Sequence, residues 1–123
     1  MSTNELEIAN LLGEALDDGP ALVFVADEEM RYLAVNKRAC EVLGYTREEL
    51  LALRVTDVAP GPAAPHLWQK MLRDGRAVGS TAIRRKDGTT ARFYYWASQA
   101  EVDGETRWVS IGVLADELPP LTL

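Results

Sequence analysis

The stretch from Ala21 to Gly44, ALVFVADEEMRYLAVNKRACEVLG, constrains the fold of this chain more than any other part of it. Ala21 to Ala26 is an unbroken apolar run rich in β formers, which predicts a buried strand. Asp27-Glu28-Glu29 turns the chain, and Arg31 to Val35 supplies the partner strand. Asn36 stands where an N-cap belongs, ahead of a short helix from Lys37 to Leu43. Gly44 is the natural stop, because glycine accepts the left-handed conformation that ends helices. Strand, turn, strand and capped helix in this order form the front half of a small α/β domain.

The remaining elements follow from equally local signals. Ser2 and Glu5 have capping-box spacing, so Ser2 to Leu16 is predicted as a helix with a broad apolar face. Asp17-Asp18-Gly19-Pro20 ends it. Thr46 and Glu49 make a second capping box, for a helix from Arg47 to Leu53. Three prolines and a glycine make Ala59 to Pro65 a loop, and the next helix runs from His66 to Arg73, closed by Asp74-Gly75. Three strands are then expected: Val78 to Lys86, Thr89 to Val102 and Arg107 to Ala115. Asp87-Gly88 and Asp103-Gly104 are the turns between them, since glycine takes positive φ without strain.

A chain of 123 residues makes one domain, with room for one core and a small internal cavity. Its formal charge of -6 argues against a nucleic-acid surface, which needs a basic stripe. The only basic cluster, Arg84-Arg85-Lys86, lies beside a hairpin tip and is most simply a solvated turn. With the single cysteine Cys40, no internal disulfide can form, which suits a reducing cytoplasm. The N-terminus has no basic-then-apolar signal segment, and no apolar run approaches the ~20 residues that cross a bilayer.

The order is therefore α–ββ–short helices–βββ, which predicts a five-stranded antiparallel sheet. In Arg107 to Ala115, Val109, Ile111 and Val113 alternate with Ser110, Gly112 and Leu114; before it, Phe93, Tyr95 and Ala97 alternate with Tyr94 and Trp96. Neither face is purely polar, so both are expected to be covered.

VFVAD, YLAVN, the run from Asn36 to Leu50 ending LGYTREEL, the hairpin RRKDGTTARFYYWAS and the closing WVSIGVLAD together resemble a PAS domain. The resemblance covers about Ala21 to Asp116. It implies an α+β PAS fold: a five-stranded antiparallel sheet with short helices on one face and the amphipathic N-terminal helix on the other. The expected division is a capping and dimerisation helix over 1–20, a PAS domain over 21–118 and a short tail over 119–123. Such domains are sensory and dimerisation modules that enclose a small molecule, haem, flavin or nothing.

Alignment to that pattern, with side chains alternating along each strand, points one set inward as ligand-binding residues. It comprises Phe24 and Ala26, Thr81 and Ile83, then Phe93, Tyr95 and Ala97. Ser110, Gly112 and Leu114 complete the strands, with Leu43, Val55, Val58, Leu67 and Met71 from the helices. Mainly apolar with the hydroxyls of Thr81, Tyr95 and Ser110, this wall suits a small apolar or aromatic molecule. The plainer reading is a filled core. The opposite set, Val23, Val25, Tyr94, Trp96, Val109, Ile111 and Val113, joins Leu6, Leu12 and Leu16 as an expected homodimer interface.

The cofactor is left unknown. Light-sensing flavin members carry a reactive cysteine where this chain reads ALRVTDVAP, so covalent flavin chemistry is not expected. The polar groups that would hold the flavin ring are replaced by Ile83, Phe93 and Leu114. Haem-binding members ligate iron through a histidine on the helix before the third strand; His66 begins that helix but sits late for the family spacing. Without haem no metal is expected, since one histidine and one cysteine far apart cannot make a zinc site. Cys40 reads as a small core thiol. Asp116 stands in place of the family's Asp-Ile-Thr signalling motif, followed here by Glu117-Leu118 and the helix-breaking Pro119-Pro120.

The resulting expectation is a cytoplasmic sensor and signal-transduction module, not an enzyme, because the inward set has no carboxylate or histidine to act as acid or base. It would dimerise and act on an output protein or domain in cis or in trans, transcription regulation among the possible outputs. It would contact no nucleic acid directly and no membrane. The alternatives are a ligand-free protein–protein interaction module and a haem sensor through His66.

Overall fold

The computed structural model describes residues 3–60 and 64–117, and the side chains of all of these except Thr3 and residues 64–68. Helix α1 (Thr3–Asp17) precedes strands β1 (Leu22–Ala26) and β2 (Tyr32–Val35). Four short helices follow: α2 (Lys37–Leu43), α3 (Arg47–Leu51), α4 (Val55–Val58) and α5 (Ala64–Asp74). Strands β3 (Arg76–Arg84), β4 (Thr90–Val102) and β5 (Glu105–Leu114) complete the sheet, whose spatial order is β2-β1-β5-β4-β3 with every pair antiparallel. A 3₁₀ turn at Ala115–Glu117 follows. This is the expected five-stranded sheet with short helices between its second and third strands.

The local signals act as their chemistry requires. Asn36 Oδ1 accepts from Ala39 N at 3.1 Å as the N-cap of α2, and Gly44 ends that helix at φ 81° with its N–H on Cys40 O. In the box before α3, Glu49 N donates to Thr46 Oγ1 at 3.1 Å and Thr46 N donates to Glu49 Oε1 at 2.9 Å. The β4–β5 hairpin turns at Asp103-Gly104, with φ of 51° and 80°, the positive pair that matches the twist of a two-residue turn.

Several boundaries differ from expectation by one or two residues, as at the start of β5 at Glu105 instead of Arg107 and the end of β3 at Arg84 instead of Lys86. α3 stops at Leu51 instead of Leu53, and Val55–Val58 forms its own turn of helix, with Arg54 N donating to Asp57 Oδ2 at 2.9 Å. Backbone bonds from Tyr32 N to Leu53 O and from Val55 N to Met30 O tie this break to the start of β2, so pairing with the sheet edge interrupts the longer helix. α5 starts at Ala64 and β3 at Arg76, two residues before the expected His66 and Val78.

One polar side chain joins the first half of the molecule together. Asn36 is 5% exposed, the one buried polar residue among those described. Its Oδ1 accepts from Val23 N at 3.0 Å as well as from Ala39 N. Its Nδ2 donates to Leu16 O at 2.7 Å and to Ala21 O at 2.8 Å. All four amide hydrogen-bonding positions are used, linking the end of α1, the start of β1 and the first turn of α2. Arg47 reinforces the joint by donating to Val35 O and to Asp17.

The far side of the sheet is less completely covered. Val23 is buried, while Val25, Val109, Ile111 and Val113 are half-buried. Tyr94 and Trp96 are exposed, Trp96 at 66%, beside its cross-strand neighbour Val78 at 67%. Helix α1 does not close this surface: Leu6, Ile8, Leu11, Leu12 and Leu16 are all exposed. The apolar stripe of α1 and the β3–β4 part of the sheet face are thus both uncovered within one chain.

Candidate functional site

Register builds the inner wall. Phe93 pairs with Leu114, Tyr95 with Gly112 and Ala97 with Ser110, so these side chains share one face of β4 and β5. Phe24 pairs with Ser110 and Ala26 with Trp108, placing β1 in the same layer. Thr81 opposite Phe93 and Ala77 opposite Ala97 extend it onto β3. A bulge between Val25 and Ala26 lets both Tyr32 and Val35 turn inward from β2, although they are three residues apart.

Gly112 is what allows the aromatic residues of this layer to meet. A Cβ at that position would lie 2.0 Å from Tyr94 O and 2.8 Å from Phe93 Cε1. With no side chain there, Phe93 leans across β5 and meets Phe24 edge-on, ring centroids 5.7 Å apart. Phe93 also stacks on Tyr95 at 5.6 Å, and Phe24 tilts against Tyr32 at 5.3 Å. Four rings thus run across the sheet in favourable pairings.

Between this layer and the helices lies a cavity of about 80 Å³. Of the residues the sequence points inward, Phe24, Ala26, Thr81, Ile83, Phe93, Tyr95, Ala97 and Ser110 border it from the sheet. Val55, Val58 and Met71 border it from the helices. Leu43, Gly112 and Leu114 do not: all three are buried, but in the solid core beside the cavity. The side chains of Leu67 and His66 lie outside the described set. Tyr32, Ala59, Ala77 and Trp108 border the cavity as well, outside the set that the sequence points inward. Continuing the alternation of β5 back from Ser110 would have found Trp108. Ala77 needed the earlier start of β3, Ala59 needed α4, and Tyr32 needed the bulge.

Among the described residues, the wall carries no charged side chain. Its polar groups are the indole of Trp108 and the hydroxyls of Tyr32, Thr81, Tyr95 and Ser110. Among the described residues, no group shares a hydrogen bond with any of those four hydroxyls. Burial pushes the Tyr32 phenol well above its usual range, with the negative charge of Asp57 adding to the effect. Tyr95 is likewise pushed up by burial. Both phenols therefore stay protonated as neutral donors and acceptors.

Other candidates lead elsewhere. Cys40 is half-buried, packs against the core from α2 and is not at the cavity wall. Burial raises its thiol pKa, which keeps it a poor nucleophile. Among the described residues, no group of three or more histidine, cysteine, aspartate or glutamate side chains could hold a metal ion. At about 80 Å³ the cavity is well below the ~300 Å³ or more of pockets that hold drug-sized ligands. A polar notch at the end of α1 is lined by Asp17, Asp18, Lys37, Arg38 and Glu41, but its charges largely neutralise one another, as in the 2.7 Å Lys37–Asp18 pair. Among the described residues, no helix is long and apolar enough to cross a membrane.

The fold has many solved relatives. A PAS domain of a two-component sensor histidine kinase superimposes with a TM-score of 0.79 at 19% identity, covering 91% of this chain and 99% of that one. A PAS domain of an HTR-like protein from Haloarcula marismortui gives 0.76 at 23% identity, covering 90% and 94%. A domain of a sensory box sensor histidine kinase/response regulator from Geobacter sulfurreducens gives 0.77 at 22%, covering 91% and 98%. No curated protein matches the chain. The family model for the PAS domain matches residues 20–116, from the junction before β1 to the 3₁₀ turn after β5. The chain belongs to the PAS domain family of sensory and signalling modules.

Proposed function

We propose that this PAS domain is a ligand-responsive signalling module that binds a small apolar or aromatic molecule in the cavity beneath its sheet and works without catalysis. The observation that carries this reading is the set of four hydroxyls, without a partner among the described residues, on a wall whose other described side chains are uncharged and, apart from the Trp108 indole, apolar. A core whose only task is stability pairs its buried polar groups or replaces them with apolar ones. Reaction chemistry finds no support there, because the described residues of the wall offer no carboxylate, imidazole or thiol. The direct test is native mass spectrometry of protein purified from cells, with a crystal structure of the same material. A bound small molecule, with density under the sheet, would support the reading; a dry cavity and no mass adduct across a metabolite panel would favour the ligand-free interaction module.

Homodimerisation belongs to the same proposal. Two apolar surfaces are uncovered within one chain: the α1 stripe with Leu6, Leu12 and Leu16, and the sheet face around Trp96 and Tyr94. A second copy that lays its α1 on this sheet face would cover both at once, with Val25, Val109, Ile111 and Val113 completing the contact. Light scattering at micromolar concentration checks this: a dimer mass is expected, and Trp96→Glu is expected to shift it to the monomer. A cytoplasmic setting and an output protein or domain in cis or in trans, a transcription regulator among the candidates, complete the reading. Haem binding through His66 finds no support in a cavity of this size.

A further inference from the structure

We propose that the cavity takes an uncharged, single-ring aromatic molecule bearing one hydrogen-bonding group, phenol-like in size, and that Met71 is the residue that yields to admit it and so sets the size limit. The proposal rests on the reading that the cavity is a ligand site.

Charge is excluded by the wall. Among the described side chains that border the cavity, none is cationic or anionic. A carboxylate or ammonium placed there would lose its water and gain no opposite charge, which costs more than a few neutral hydroxyls return. A purely apolar ring would fit the charge requirement yet leave the hydroxyls unpaired. Tyr32 is the most buried of the hydroxyl residues, 6% exposed, and it borders the cavity with no described hydrogen bond to its phenol oxygen. Thr81 and Ser110 lie on the sheet strands that flank Phe93 and Phe24. A ring among the aromatic side chains that carries one hydroxyl or carbonyl satisfies both parts of this wall.

Size then identifies the moving part. At about 80 Å³ the cavity is roughly half the volume of an engineered apolar cavity that holds benzene. A ring fits within that volume only if part of the wall gives way. The sheet side is fixed by paired strands and by the three ring contacts that link Tyr32, Phe24, Phe93 and Tyr95. On the helical side, Val55, Val58 and Ala59 are branched or short and sit on or beside α4, which is tied to the turn before β2 through Val55 N and Met30 O. Met71, buried on α5, is the long unbranched side chain among the described residues of the wall, with three rotatable bonds and a polarizable sulfur that tolerates an aromatic neighbour.

The experiment titrates the full chain at pH 7 with phenol and with benzoate, read by thermal shift and by the methyl resonance of Met71. Phenol is expected to bind and to move that methyl signal, and benzoate to bind about tenfold or more weakly because its carboxylate is desolvated without a partner. Met71→Ala is expected to bind phenol about tenfold more tightly, since no side chain has to be displaced. Met71→Leu, a volume-conserving change that keeps the fold, is expected to bind it more weakly than wild type. Benzoate binding as tightly as phenol would overturn the proposed chemistry while leaving the cavity a ligand site. Equal phenol affinity in wild type and Met71→Leu would overturn the role of Met71, whether or not Met71→Ala folds. Binding of neither probe to any folded variant would remove the ligand-site reading and this proposal together.

Discussion

Asn36 and the hydroxyls of Tyr32, Thr81, Tyr95 and Ser110 lie on the inner side of the same molecule, yet their hydrogen-bonding capacity is used in opposite ways. Asn36 fills every position of its amide, accepting from Val23 N and Ala39 N and donating to Leu16 O and Ala21 O. The four hydroxyls have no described protein partner and face a space instead. A saturated buried group holds segments of chain in place, and an unsaturated one at a cavity is available to something that enters. The two regions also differ in what they join. Asn36 links backbone that belongs to α1, β1 and α2, whereas the hydroxyls sit on strands already held by their ladders. Architecture and site are therefore separable here by side-chain saturation, and mutation should separate them too.

The strongest test of that separation is Asn36→Ala. It leaves two backbone donors and two part-buried backbone acceptors without their side-chain partner, at about 1–3 kcal/mol for each group that water cannot reach. The expected loss is about 3 kcal/mol or more in urea unfolding, with the α1 end of the domain loosened first in hydrogen exchange. A loss below ~1 kcal/mol would mean that water repairs the joint, and the contrast with the cavity would fail.

Gly112→Ala comes next, because it strikes the boundary between the two regions. The new Cβ would stand 2.0 Å from Tyr94 O, a backbone atom that can move only with the β4–β5 ladder. Overpacking of this kind costs about 1–3 kcal/mol. Its second contact, 2.8 Å from Phe93 Cε1, would push that ring away from β5. The variant is thus expected to lose both stability and any probe binding in the cavity, and a structure showing Phe93 unmoved would break the link between them.

How far the sequence reveals these regions follows from the range of the forces involved. Asn36, the Thr46–Glu49 box and Gly44 are legible because each satisfies backbone groups within a few residues of itself, and the Asp103-Gly104 turn because glycine accepts positive φ. The inward set on β4 and β5 is legible because alternation assigns a side chain to one face of a sheet. Alternation does not say whether an inward side chain fills the core or borders a space. Leu114 and Leu43 are fully buried in solid packing, while Tyr95 and Ser110 border the cavity. Tyr32 is hidden from strict alternation for a different reason. Strict alternation from Val35 points to Leu33, and only the bulge opposite Val25 and Ala26 turns Tyr32 inward and leaves Leu33 exposed. A bulge is a mismatch between two strands, so neither strand's own sequence displays it.

A smaller effect probes the unsaturated side of the contrast. Tyr32→Phe removes a buried hydroxyl that has no described hydrogen bond to lose. Its stability is expected to stay within about 1 kcal/mol of wild type or to rise, because no partner is stranded. Phenol binding should weaken in the same variant. A clear destabilisation would show that an ordered water saturates this hydroxyl in the free protein, making it part of the architecture after all.

The smallest predicted effect lies on the surface and tests whether charge contributes to either region. Glu49 receives Lys86 Nζ at 2.6 Å and the Thr46 N–H, and both hold its carboxyl below the ordinary glutamate range, Lys86 more than Thr46. Protons therefore bind this group more readily in the unfolded chain than in the folded one. Its stabilising contribution is complete above the unfolded value of about 4.3, and it is lost as pH falls through the lower folded value. Glu49→Gln keeps the amide oxygen that can accept from Thr46 N, so the box survives while the charge is removed. The thermal midpoints of wild type and Glu49→Gln should differ slightly at pH 7 and converge as the pH is lowered from about 5 to about 3. The difference should also shrink in high salt, as expected of an exposed ion pair. A gap that persists at low pH would mean that the substitution disturbs the cap itself. The α3 box would then join Asn36 as an uncharged hydrogen-bonded joint, and its pairing with Lys86 would be incidental.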